Sequence, residues 1–317
     1  MKCTDNGSLK TIFVSENEGK SCLLIFLCCA FLVSGISSDS TAVVFDNSFA
    51  CIYIYNMYTT TGNIKPKFET LQQVSLVSDI KPYEKIKIRY LNGGHSALAY
   101  AGHLAGFKTI EEAAVDETFQ QFLRLFFQEV SVTLDAVEGL DQLEYQEQVL
   151  ERFLNNKITD DVLRICKDGT SKITGFVMPT IVEVLEKEGA SSQCLSFVVA
   201  SWIAFIEKHF NEGISLDDGE GPALFALVEG MSAGTKTEQD QDQDRAEEVD
   251  VGVFLREQCL FGEIGQNAVF VSQVQAAHCR IAAEGVLSAM QALVGSQKLV
   301  IKAQLNNDNC AKEDNTT

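Results

Sequence analysis

The sequence predicts a mainly α-helical fold. Three observations carry that expectation. Apolar residues recur at helical spacing through most of the chain after residue 64. Only four prolines occur in 317 residues, which suits long helices. A helix-start signature and several helix-stop glycines fall at the ends of the periodic runs.

Taken in order, the chain has two unlike parts, 1–63 and 64–317. Segment 1–63 is atypical. Ser21–Ser38 carries no charge, and Cys22–Ser34 (CLLIFLCCAFLVS) is almost wholly apolar. It is short for a membrane span, which needs roughly 20 residues. Its length suits a signal-peptide core, with Lys20 before it and the small residues Ser34, Gly35, Ser37 and Ser38 after it. A mixed polar stretch containing Glu16 and Glu18 comes first, however, which is unusual for a signal peptide. Three readings stay open: a signal or anchor that makes membrane contact through 21–38, packing material for the downstream domain, or sequence foreign to the native gene product.

From 64 onward the pattern is globular. Val74–Val77 is β-like. Pro82 marks a helix start, because proline suits a first turn. Thr109 and Glu112 form a capping box. Phe119, Phe122, Leu123, Phe126, Phe127 and Val130 follow at helical spacing and mark one buried face. Further helices are expected over 144–154, 159–166, 178–187, 194–210, 251–260 and 267–294. Gly169, Gly189 and Gly213 are the expected stops. Glu238–Asp250 holds seven acids against one arginine and reads as a solvated loop.

The net charge of −19 argues against a nucleic-acid partner, which needs a basic face to displace counterions. Five of the ten cysteines lie in the first 51 residues. The others, Cys166, Cys194, Cys259, Cys279 and Cys310, are isolated; no C-x-x-C or His partner at zinc spacing accompanies them, so no metal is expected.

The segment that suggests chemistry is KIRYLNGGHS, residues 87–96. On an ideal helix advancing roughly 100° per residue, Lys87, His95 and Asn92 fall at about 0°, 80° and 140°, in one sector. Gly93 and Gly94 each cost a helix roughly 1 kcal/mol relative to alanine. Close approach by a backbone or a ligand ring would explain them. A base, an amide and an imidazole around bare backbone suit a polar substrate. The bland alternative is a solvated lysine, a turn asparagine and a hydrogen-bonded histidine.

The string from Pro82 through Lys87, Asn92, Gly93, Gly94, His95 and Ser96 to Tyr100 resembles the signature of the polyol-specific long-chain dehydrogenases, the mannitol 2-dehydrogenase and fructuronate reductase family. Leu150–Asn156 (LERFLNN), Arg164–Lys172 (RICKDGTSK) with Pro179 and Thr180 after it, and Phe261–Phe270 resemble further family stretches in the same order. The resemblance implies the family's helical C-terminal domain, which is like that of 6-phosphogluconate dehydrogenase. It implies Lys87 as the general base, Asn92 as the donor that holds the developing alkoxide, and His95 orienting substrate hydroxyls. Arg164 and Lys172 would be substrate-binding cations. The partner would be a polyol, keto-sugar or uronate, the cofactor NAD(P), and the location cytoplasmic, unless residues 21–38 direct the chain elsewhere. The family's cofactor domain carries a glycine-rich turn that holds the pyrophosphate. The chain has no G-x-G-x-x-G, so the expectation is a truncated or mispredicted form without a Rossmann domain. The alternative expectation is a non-catalytic sugar-binding or interaction module.

Overall fold

The computed structural model describes residues 79–157, 159–187, 192–233 and 249–297, with the backbone of three short strands before them. The chain divides into two compact units, Met1–Ile80 and Lys81–Thr317. In the first, strands β1 (Thr41–Phe45), β2 (Cys51–Ile54) and β3 (Val74–Val77) form an antiparallel sheet in the order β2-β1-β3. Val43 of β1 lies opposite Ile52 on one side and Leu76 on the other. Strand β3 is the β-like stretch of the sequence. The apolar run 21–38, Gly189 and most of the acidic run Glu238–Asp250 lie outside the described residues.

The second unit is helical. Helix α1 (Lys81–Lys87) passes through a wide π-helical turn, Ile88–Asn92, into α2 (Gly93–Ala105). Then come α3 (Ile110–Val115), α4 (Glu117–Ser131), α5 (Gln142–Phe153), α6 (Val162–Cys166) and α7 (Gly169–Lys172). A second wide turn, Ile173–Val177, leads into α8 (Met178–Leu185). Helices α9 (Gln193–Glu212), α10 (Gly221–Ala233), α11 (Val251–Leu255), α12 (Gln258–Phe261) and α13 (Ala268–Glu284) follow, and α14 spans 286–297.

The predicted local signals operate as expected. Thr109 Oγ1 accepts from the Glu112 amide at 3.1 Å while the Glu112 carboxylate accepts from the Thr109 amide at 3.3 Å, a reciprocal capping box. The stripe from Phe119 to Val130 is buried throughout. Gly213 ends α9 in the left-handed region, at φ 66°.

The core is organised around α9. Cys194 to Ile206 is buried along its whole length, so the helix is enclosed on every side rather than amphipathic. Helices α2, α4, α10 and α13 pack on it. Glu129 of α4 supplies its N-terminal cap, accepting from the Cys194 amide at 3.0 Å and the Leu195 amide at 2.8 Å. His278 of α13 and Glu207 of α9 are joined at 2.6 Å.

Three expectations are corrected. Gly169 does not stop a helix; it opens α7. The left-handed residue there is Asp168, at φ 51°. Gly169 is required for space instead, since a Cβ on it would lie 2.6 Å from the Trp202 indole nitrogen and 3.1 Å from the Tyr100 hydroxyl. The helix expected over 267–294 breaks at Gly285, whose φ of 81° ends the α conformation. The helix expected over 251–260 breaks after Leu255, and a new cap, Glu257, starts α12. Helices α7 and α10 were not expected from the sequence.

Candidate active site

The wide turn after Lys87 determines how the candidate residues are presented. The Gly93 amide donates to the Ile88 carbonyl, five residues back, where an α-helix would bond four back. One such turn takes up an extra residue without advancing the helical phase. Counted from Lys87, Asn92 then falls at about 40° and His95 at about 20° the other way. The ideal-helix spread of about 140° therefore shrinks to about 60°. Asn92 sits one wide turn above Lys87, with His95 one turn further on.

Tertiary contacts hold this turn. Tyr90 donates to Gln142 Oε1 at 3.0 Å and accepts from Gln146 Nε2 at 3.0 Å, which ties it to α5. Its ring stands edge-on to Phe127 at 5.4 Å. Arg89 is drawn the other way, onto the Thr133 carbonyl and Glu183. The two glycines are explained by neighbouring rings of the protein rather than by a ligand. A Cβ on Gly93 would lie 3.1 Å from Phe126, and one on Gly94 would lie 3.0 Å from Phe153. The bare backbone expected to face substrate is thus covered by α4 and α5.

Lys87, Asn92 and His95 are all half-buried. Among the described residues, the Lys87 ammonium, the Asn92 side-chain amide and the His95 ring nitrogens make no hydrogen bond or ion pair. Only the Asn92 backbone carbonyl is engaged, accepting from Ser96 Oγ at 3.3 Å. The His95 ring rests on the edge of Phe153 at 4.8 Å. Although part of the His95 surface is open, dense packing holds its pKa down to about 4: burial acts first, then the Arg152 guanidinium, with Arg164 and Lys172 adding and Asp160 opposing. His95 is therefore a neutral imidazole at pH 7, able to donate one hydrogen bond and accept another.

Arg164 and Lys172 reach His95 through their fields, but each has a partner of its own. Arg164 is exposed and pairs with Asp160 one turn earlier. Lys172 is half-buried and donates to the Ile165 carbonyl at 2.6 Å; burial lowers its pKa. Sequence reasoning gave no role to Arg152, Phe153 or Asp160. The first two lie in the LERFLNN string, so the signal was present without a geometry to interpret it. A separate cleft of about 180 Å³, lined by Cys166, Gly169, Trp202, His209, Asp218 and Leu224 among others, includes none of the five candidate residues. It includes both members of the Lys167–Asp217 ion pair.

The described residues do not build a dinucleotide cradle. Their three strands pair antiparallel, unlike the parallel strands of a dinucleotide fold, and the stretches that link these strands lie outside the described residues. Among them, no group of three or more histidine, cysteine or acidic side chains could hold a metal, and no helix is long and apolar enough to cross a membrane.

The model of the mannitol dehydrogenase C-terminal domain matches residues 79–282. The chain belongs to the mannitol dehydrogenase family. All five candidate residues lie inside the matched range. A mannitol dehydrogenase of Saccharomyces cerevisiae is 38% identical over 167 residues, 52% of this chain and 33% of that protein. A mannitol 2-dehydrogenase of Aspergillus fumigatus is 34% identical over 230 residues, 71% of this chain and 43% of that protein. Among solved structures, the Pseudomonas fluorescens mannitol 2-dehydrogenase, in ternary complex with NAD and D-mannitol, aligns with a TM-score of 0.59 at 27% identity, over 69% of this chain and 42% of that one. A D-sorbitol dehydrogenase shares the fold, with a TM-score of 0.53 at 24% identity, over 68% of this chain and 41% of that one. The chain thus spans 33–43% of the length of these relatives. The helical unit has the architecture of the family's C-terminal domain.

Proposed function

We propose that the helical unit supplies the substrate side of a polyol oxidoreductase, oxidising a secondary alcohol or, in reverse, reducing a keto-sugar or keto-uronate. One observation carries this reading. Three polar side chains of different chemistry share one helical face, half-buried, and none is engaged by another of the described residues. A half-buried lysine, amide and imidazole left unpaired forgo hydrogen bonds that water or a ligand must replace. A polyhydroxylated ligand supplies both donors and acceptors for them.

In this reading Lys87 removes the hydroxyl proton as the alcohol becomes a carbonyl. Asn92, directly above it, donates to the oxygen as negative charge develops there. His95, neutral at pH 7, binds a neighbouring hydroxyl and does not compete for the proton. Arg152, Arg164 and Lys172 make the surroundings of His95 positive within a strongly acidic chain, which favours substrates bearing hydroxyls or a carboxylate. The hydride acceptor in the family is a nicotinamide, and its cradle would belong to residues other than those described. The helical unit therefore acts on the proton and the oxygen.

The test has two arms. Binding of D-mannitol, a keto-hexose and a hexuronate to the chain is read on the His95 ring resonances. Turnover is read with the helical unit joined to the cofactor-binding part of a family member. Lys87→Ala is expected to leave the fold intact and lower turnover by about a hundredfold or more, the scale of a lost general base. Turnover within about tenfold of wild type, less than such a base contributes, would remove Lys87 from that role. Binding without any turnover in the joined protein would leave a sugar-binding module.

A further inference from the structure

One face of α9 lines the cleft that contains none of the five candidate residues. Trp202, Phe205, Ile206 and His209 succeed one another there at helical spacing, with Cys166 and Gly169 joining from the α6–α7 stretch. The walls are mostly apolar. Burial keeps the Cys166 thiol protonated by pushing its pKa up to about 12. The charged groups at the cleft are already engaged. Asp217 pairs with Lys167 at 2.6 Å, and the Asp218 carboxylate accepts from the Thr170 amide at 2.7 Å and the Glu220 amide at 3.0 Å.

Unpaired polar atoms remain in this wall. Trp202 is 1% exposed, yet its indole N–H makes no hydrogen bond among the described residues. A Cβ on Gly169 would lie 2.6 Å from that nitrogen and 3.1 Å from the Tyr100 hydroxyl, which is buried and has no partner either. Buried indole and hydroxyl groups usually find a partner, in protein, water or ligand. Further along the same helix, His209 is 6% exposed, and its Nδ1 meets the Phe205 carbonyl at 2.9 Å. A carbonyl only accepts, so Nδ1 carries the proton. In that tautomer Nε2 is an acceptor, and it has no partner among the described residues. Trp202 and His209 lie two turns apart, about 10 Å along a helix.

We propose that this cleft is a binding site of its own, for a small uncharged molecule with a flat apolar body, an acceptor at one end for the Trp202 N–H and a hydroxyl at the other for His209 Nε2. The two unpaired atoms on α9 are one donor and one acceptor, and an uncharged ligand satisfies both without desolvating a charge. The cleft, at about 180 Å³, is smaller than the roughly 300–1,000 Å³ of a drug-sized pocket, which suits a ligand of about ten non-hydrogen atoms. Cys166 and Gly169 lie between Arg164 and Lys172, so an occupant touches the stretch that carries those two residues. The site does not depend on the reading of Lys87 as the base.

The probe is para-(hydroxymethyl)acetophenone, which carries a carbonyl and a hydroxyl at opposite ends of one ring. Trp202 is the single tryptophan, so the isotope-labelled full chain gives one indole N–H resonance. The probe carbonyl is expected to move that resonance downfield and saturably, with a Kd on the order of a millimolar, the scale for so small a ligand. In para-ethylacetophenone a methyl replaces the hydroxyl. His209→Phe is expected to shift the ratio of the two affinities about fivefold in favour of the ethyl ketone, the scale of one net hydrogen bond. An indole resonance that stays in place up to about 10 mM probe, or a ratio that His209→Phe leaves unchanged, overturns the proposal. D-Mannitol is expected to leave the resonance where it is; an equal, saturable shift by D-mannitol would overturn the separateness of the site. If circular dichroism shows that His209→Phe does not fold, the indole shift in the unaltered chain decides alone. Loss of the base role for Lys87 would appear in turnover and leave these titrations unchanged.

Discussion

At the residue scale the site is governed by what each side chain is denied. Burial and the Arg152 guanidinium deny His95 its proton until about pH 4, against an ordinary value of 6.5. The unfolded chain takes up that proton as pH falls below 6.5, while the folded chain resists until about 4. Folding stability therefore holds above this window and declines through it as acid is added. His95→Gln is expected to remove that part of the slope, measured by denaturant unfolding across the window, and parallel slopes in the two proteins would show that His95 is not its source. Much of this site was legible in the sequence, because Lys87, Asn92 and His95 carry their chemistry in their side chains and their spacing placed them in one sector. What was not legible is the wide turn between Lys87 and His95. The extra residue in the wide turn answers to Tyr90, Arg89 and the rings over Gly93 and Gly94, whose partners lie 33 to 94 positions away in sequence.

Between elements, the ends of helices decide what the sequence discloses. The Thr109 box is local, since both partners lie within four residues, and so it could be read directly. The start of α9 is not local. Ser192, in the N-cap position, turns its hydroxyl to Gln273 at 2.6 Å, and Glu129 from α4 takes over the capping role. A nearly buried carboxylate facing the positive end of the central helix is a strong tie, because charge, dipole and two hydrogen bonds act together. Glu129→Gln keeps the shape and one acceptor but loses the charge. It is expected to cost about 1–3 kcal/mol, measured by equilibrium unfolding. A change below about 0.5 kcal/mol, the range of ordinary surface substitutions, would mean that the cap carries little of the stability of α9. The breaks at Gly285 and after Leu255 were missed for a related reason: apolar periodicity continues across them, and only backbone conformation or a new cap reveals the interruption.

For the whole molecule, long-range electrostatics follow from the net charge of −19. The described ion pairs lie mostly at the surface, where each is worth little, so like-charge repulsion works against the compact state. Raising ionic strength from about 0.01 M to about 0.15 M shortens the screening length from roughly 30 Å to 8 Å and is expected to raise the thermal midpoint. A midpoint that falls over that range would mean that paired charges outweigh the excess acids. The family was legible because ordered matches run through much of the helical unit, whereas the architecture behind them, with α9 enclosed by α2, α4, α10 and α13, depends on contacts that no single stretch encodes. One of those contacts gives the molecule an optical property. Trp202 is the single tryptophan, and it lies so close to Gly169 that no side chain fits between them. Indole emission from this chain therefore comes from one place, against the backbone of the segment that joins Arg164 to Lys172. The protein carries one intrinsic fluorophore seated against the segment that bears two of its candidate residues, so that movement of that segment would change the light it emits without any label being attached.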